Sequence, residues 1–185
     1  MILKGHCLYI QLVQLDAVVI EEYPLHAAIK CNVIMWIICN NKEITWKSYD
    51  ADGSIWFEDT LLFSDISKET TTENESVKTT LTTILHEAFK LNPHFILNSV
   101  GYKITTELGF PKSWGLGTSS TLINNIAQWL QIDAFTLLKN SFGGSGYDIA
   151  CAQNDTPILY HLEDGKPVVE NVRFNPEFTK NVYFI

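Results

Sequence analysis

Two short stretches hold the residue types from which a phosphate-handling site can be built. The first, "PKSWGLGTSST" (residues 111–121), sets Gly115 and Gly117 one residue apart and follows them with Thr118, Ser119 and Ser120, where helical spacing begins. Glycines at such a joint let the backbone turn tightly and let a ligand approach without meeting a Cβ. The first N–H groups of the helix have no partner within it, and together with the helix dipole they favour an anion, most naturally a phosphate. A hydroxyl in the same place can ligate Mg²⁺ held between phosphates. The second stretch, "FGGSGYDIA" (142–150), gathers three glycines and a serine around Asp148. Phosphoryl transfer needs two parts, a cradle that positions the phosphates and a carboxylate that accepts or orients the proton of the attacking hydroxyl.

Each stretch has a plainer reading as well. Thr118 or Ser119 as a helix cap contributes about 1 kcal/mol. Asp148 alone fits an Asx turn. The first stretch is no Walker loop, because no GK[ST] follows, and no dinucleotide fingerprint, because the third glycine is missing. The two stretches together, in one domain, favour chemistry over turns.

The surrounding pattern says what must position them. "CLYIQLVQLDAVVI" and "CNVIMWIICN" have the composition of strands, and "EITWKSY", the turn signal "DADG" and "SIWFEDTLLF" read as a hairpin. "SKETTTENE" is a loop. Val77, Leu81, Ile84, Leu85 and Ala88 recur at helical spacing, with Ser76 as cap and a stop before Pro93. "SVGYKITTEL" alternates as a strand leading into the joint. Beyond it, Leu122, Ile123, Ile126, Trp129 and Leu130 form one helix face, and Asp133 caps a second short helix through Leu138. "PILYHL", "EDGKP" and "VVENVRF" form another hairpin, and the terminal "NVYFI" reads as a strand. This order predicts an α+β domain with helices on one face of a mixed sheet.

The totals narrow the partners. The chain has 185 residues, 46% hydrophobic and 18% charged, enough for one domain with a sizeable core. A net charge of −8 with no basic stripe argues against nucleic acid. Cys7, Cys31, Cys39 and Cys151 form no CxxC pair and no zinc spacing, which points to reduced thiols and a cytoplasmic protein. Asp16, Glu21 and Glu22 interrupt the N-terminal apolar stretch, so neither a signal peptide nor a membrane span is expected.

"PKSWGLGTSST" resembles the phosphate-binding motif of the GHMP kinases, which include galactokinase, homoserine kinase, mevalonate kinase and phosphomevalonate kinase. Pro111, Gly115, Leu116, Gly117 and Ser119 match that motif outright, Thr118 is a conservative replacement, and Ser120 stands where alanine is usual. "GGSGYDIA", with Gly144, Ser145 and Gly146, is similar to the loop that carries the catalytic aspartate in the mevalonate-kinase branch, and "SGYDIACAQ" looks like the GYDIA-type bacterial subgroup. The resemblance covers residues 43–185, the ATP-binding N-terminal domain, with 1–42 a divergent segment and the family's C-terminal domain absent from the chain. It implies a left-handed βαβ fold of the ribosomal-protein type, ATP along residues 115–120, Mg²⁺ on Ser119, and Asp148 as base for, or orienter of, the acceptor, which is an alcohol (mevalonate as the first choice) or, as in the phosphomevalonate case, a phosphate. It also implies self-association through the face left by the C-terminal domain. The family's N-terminal lysine has no counterpart, since Lys4 in "ILKGHCLY" lies in a different context. The alternative implied is a degenerate nucleotide-binding module without turnover.

Among the other polar and aromatic residues, His86 and Glu87 read as a helix-surface pair. Trp46, Trp56 and Trp129 fall on apolar faces and read as core. Trp114 is placed to pack or to stack on adenine, and Glu107 is a weaker metal candidate.

Overall fold

Residues 9–13, 18–20, 25–27, 31–37, 42–68, 76–114, 118–154 and 156–173 are described by the structure, a computed structural model. The first strands are β1 (Tyr9–Val13), β2 (Val18–Ile20), β3 (Leu25–Ala27) and β4 (Cys31–Ile37). A hairpin of β5 (Glu43–Tyr49) and β6 (Ile55–Leu62) follows, then α1 (Phe63–Ile66), α2 (Val77–Leu91), α3 (His94–Leu97) and β7 (Tyr102–Leu108). A 3-10 turn at Lys112–Trp114 leads to α4 (Thr118–Leu130), α5 (Ala134–Ser141) and α6 (Tyr147–Ala152), and then to the hairpin β8 (Ile158–Glu163) and β9 (Lys166–Asn171).

Alternation builds the central sheet. Ile44, Trp46 and Ser48 on β5 and Tyr102, Ile104, Thr106 and Leu108 on β7 are all buried. The residues between them, including Lys103 and Glu107, point to the other face. The two strands pair in parallel, which requires a crossover, and β6, α2 and α3 supply it. The five-stranded sheet has the order β1-β4-β7-β5-β6 and is mixed. Helices cover its apolar face: Leu81, Ile84 and Leu85 of α2, Ile123 and Ile126 of α4 and Leu137 of α5 join Ile44, Trp46 and Ile104 in one core. Burying each such side chain contributes about 1.5–3 kcal/mol.

The α+β architecture with helices on one face of a mixed sheet is therefore present. A second sheet, of order β3-β2-β8-β9, was not apparent in the sequence pattern; there β2 runs parallel to β8 through the pair Val19↔Ile158. The caps agree with the sequence. Ser76 accepts from the Thr79 N–H at 3.1 Å, and Asp133 accepts from the Thr136 N–H at 2.7 Å. The α5 helix continues to Ser141, beyond the expected end at Leu138.

Three local expectations are corrected. The strand ending "TLLF" stops at Leu62, because Phe63 and Ile66, both buried, turn the chain inward as α1. Asp148 sits on the first turn of α6 rather than in a loop. His86 is buried rather than on the surface, because α2 is covered on a wider arc than its apolar stripe alone. Its Nδ1 lies 2.7 Å from the Ile66 carbonyl; a carbonyl only accepts, so Nδ1 carries the proton. Most of "SKETTTENE" and all of "NVYFI" lie outside the described residues.

One ion pair ties β6 to α2. The Lys78 ammonium, 2.6 Å from Asp59, holds that carboxyl below the ordinary aspartate range, helped by the Thr60 N–H at 2.7 Å and opposed by burial. Lowering the folded-state value means the charged form is favoured on folding. The stabilisation is thus present above about pH 4 and is lost as pH falls through the folded value. With both partners partly solvated it amounts to about 0.2–1 kcal/mol. Asp59→Asn should lower stability by that amount in urea titrations at pH 7 and by progressively less as the pH falls below about 4; an equal loss at neutral and acid pH would mean the carboxylate's charge is not what α2 uses.

Candidate functional site

The start of α4 lies between two features. On one side is a cavity of about 370 Å³, within the usual size of small-molecule sites. Trp46, Trp56, Phe57 and Leu122 supply apolar wall, and Thr118 and Ser119 of α4 reach it from its first turn. On the other side is Asp148. The next hydroxyl along α4, that of Ser120, donates to Asp148 Oδ2 at 3.4 Å. Consecutive residues on one helical turn point in different directions, so three hydroxyls in a row serve both sides.

Local sequence explains how each part is held. Ser48 sits at the inner end of the cavity wall, where its Oγ accepts from Trp46 Nε1 at 3.1 Å and from the Thr106 hydroxyl at 2.7 Å. That joins β5 to β7 beneath the site. Asp50, in the turn after β5, accepts the backbone N–H of Lys112 at 2.9 Å, which pins the 3-10 turn before α4. Asp148 is exposed, while its neighbours Ile149 and Ala150 are fully buried and root α6 in the core. Gly146 precedes it at φ +83°, a left-handed conformation that favours glycine. The Tyr160 hydroxyl of β8 donates to the Ser145 carbonyl, tying the turn to the second sheet.

Of the residues singled out in the sequence, Thr118 and Ser119 line the cavity, Ser120 meets Asp148, Gly144, Ser145 and Gly146 form the turn just ahead of Asp148, and Pro111 is half-buried just ahead of the 3-10 turn. Gly115, Leu116, Gly117 and the Trp114 side chain lie outside the described residues. Glu107 points away, on the sheet face opposite the helices. Trp46 is core, and Trp129 packs edge-on to Phe95 and Tyr102 at 5.6 and 5.1 Å. Trp56, expected in the core, is half-buried on the cavity wall instead. Lys112, Ser48 and Phe142 also line the cavity and were not foreseen, although Lys112 stands inside the glycine motif itself.

No three His, Cys, Asp or Glu side chains among the described residues cluster as a metal cage. A hard cation here would need oxygen ligands from a bound phosphate in addition to a hydroxyl such as Ser119, which is how Mg²⁺ is usually held. No helix among the described residues is long and apolar enough to cross a membrane.

No family model and no curated protein matches the sequence. The fold is similar to that of a crystal structure from Campylobacter jejuni described as a "Putative Sugar Kinase", with a TM-score of 0.56 and 16% identity. The alignment covers 89% of this chain and 56% of that one, so this chain spans little more than half the length of that protein. The likeness is one of fold, an α+β domain.

Proposed function

We propose that this domain binds ATP and serves a small-molecule kinase of the GHMP type, which moves the γ-phosphate to an alcohol. The observation that carries the reading is the position of the first turn of α4, with Thr118 and Ser119 at the cavity and Ser120 against Asp148. The base would occupy the aromatic cavity, and the phosphates would cross the helix start, where the first N–H groups and hydroxyls of α4 would meet them. Bound Mg²⁺, on Ser119 and the phosphates, would neutralise charge during transfer. Asp148, exposed beyond Ser120, would take the proton of the acceptor hydroxyl as its oxygen bonds to the γ-phosphorus and the bond to the β-phosphate oxygen breaks, releasing ADP. The acceptor class is an alcohol, the group that mevalonate and a sugar share.

Titration calorimetry with an unhydrolysable ATP analogue and Mg²⁺ tests the binding step. Saturable one-site binding to a cooperatively folded sample is expected, and its absence would overturn the reading. Binding without turnover across a panel of alcohols would favour a nucleotide-binding module over an enzyme.

A further inference from the structure

Among the described residues, the cavity is lined by one charged side chain, Lys112, and otherwise by apolar and hydroxyl residues. Its backbone is fixed by the Asp50 hydrogen bond, so the side chain starts from a defined place. Its ammonium lies 4.3 Å from the centroid of the Trp56 ring, an attractive arrangement that holds the charge at the cavity wall. Glu58, Asp59 and Glu87 pair with Lys47, Lys78 and Lys90. Lys112 has no ion pair among the described residues. Among the described residues, then, a chain of net charge −8 places one cation on the cavity wall with no carboxylate paired to it, beside the hydroxyls that begin α4.

We infer that Lys112 is a ligand-binding residue that selects nucleoside polyphosphates over uncharged nucleosides in this cavity. The inference rests on the nucleotide reading above and adds to it the group that reads ligand charge. An indole face attracts a cation but does not neutralise it, so the ammonium remains available to a phosphate oxygen, with which it makes a stronger, charge-assisted hydrogen bond. Lysine suits this as a mobile point charge on a flexible stem. Such a residue sets affinity in proportion to ligand charge and leaves recognition of the base to the aromatic wall.

The test is calorimetric titration of the wild-type chain, Lys112→Gln and Lys112→Arg with the ATP analogue, AMP and adenosine, at low and high salt. Lys112→Gln should weaken the ATP analogue about tenfold, the ratio that about 1.4 kcal/mol produces. It should weaken AMP less and leave adenosine unchanged, and it should flatten the salt dependence of ATP binding. Lys112→Arg should retain most of the affinity. Lys112 is exposed, so thermal unfolding of both variants should match the wild type. If the wild type binds the ATP analogue and Lys112→Gln binds it equally well, the inference is overturned while the nucleotide reading stands. If the wild type binds neither the ATP analogue nor adenosine, the nucleotide reading falls and takes the inference with it.

Discussion

Asp148→Asn is expected to lose phosphoryl transfer by about 10²–10⁴-fold, the range that general acid–base groups contribute, while nucleotide binding persists. Three observations separate the two effects. Asp148 is not among the residues lining the cavity, so the aromatic wall proposed to take the nucleotide base is not touched by the change. Asparagine keeps the size of the side chain and an oxygen that can still accept from the Ser120 hydroxyl, but it has no carboxylate to receive a proton. Asp148 is also exposed on a helix anchored by Ile149 and Ala150, so the substitution should change stability by less than about 0.5 kcal/mol. Single-turnover measurements with saturating ATP and a phosphorylated alcohol as product would check this. Full turnover in the variant would remove Asp148 from the chemistry and leave the cavity without an assigned base.

How much of this was legible in the sequence depended on how local the information was. Ser76 and Asp133 cap the helices they were expected to cap, because a cap and its helix are contiguous and the 3.6-residue spacing behind them is long enough to register. The meeting of Ser120 with Asp148 was implied only by the order of two motifs; the contact itself comes from α4 packing on α6. Asp148 was read as a loop residue because a helix of six residues is too short for periodicity to detect behind three glycines. Trp56 was misassigned for a different reason. The register of β5 against β6 shifts between Ser48 and Tyr49, so alternation counted along the hairpin fails to give the face of the residue after the turn. The place of Lys112 needed two distant facts, the turn at Asp50 that holds its backbone and the indole from β6 that holds its charge. The second sheet was hidden for the same reason, since β2 and β8 come from opposite ends of the chain.

Gly146→Ala should destabilise the protein by about 2–5 kcal/mol and reduce turnover further than the loss of folded protein explains. Two costs add. A left-handed conformation, here φ +83° and ψ 2°, costs a residue with a Cβ about 1–2 kcal/mol. The new Cβ would also lie 2.8 Å from Phe135 Cδ1, closer than a Cβ approaches any heavy atom, and 3.2 Å from the Tyr160 hydroxyl oxygen, a tight contact. Neither neighbour yields easily: Phe135 packs against both buried clusters, and Tyr160 is bonded to the Ser145 carbonyl. Overpacking of this kind costs about 1–3 kcal/mol. The cheapest relief is a shift of the turn, and Asp148 is two residues along, so the carboxylate moves with it. Gly143→Ala provides the comparison. It has φ +75° but nothing within 4 Å of the added Cβ, so it should carry the backbone cost alone, about 1–2 kcal/mol. Each kcal/mol corresponds to about 2–4 °C of Tm in a chain of this size. If contact with Phe135 causes the excess, Gly146→Ala introduced into a Phe135→Leu background should cost no more than Gly143→Ala does. An equal penalty in both backgrounds would assign the excess to the Tyr160 contact or the backbone and leave Phe135 no part in positioning Asp148.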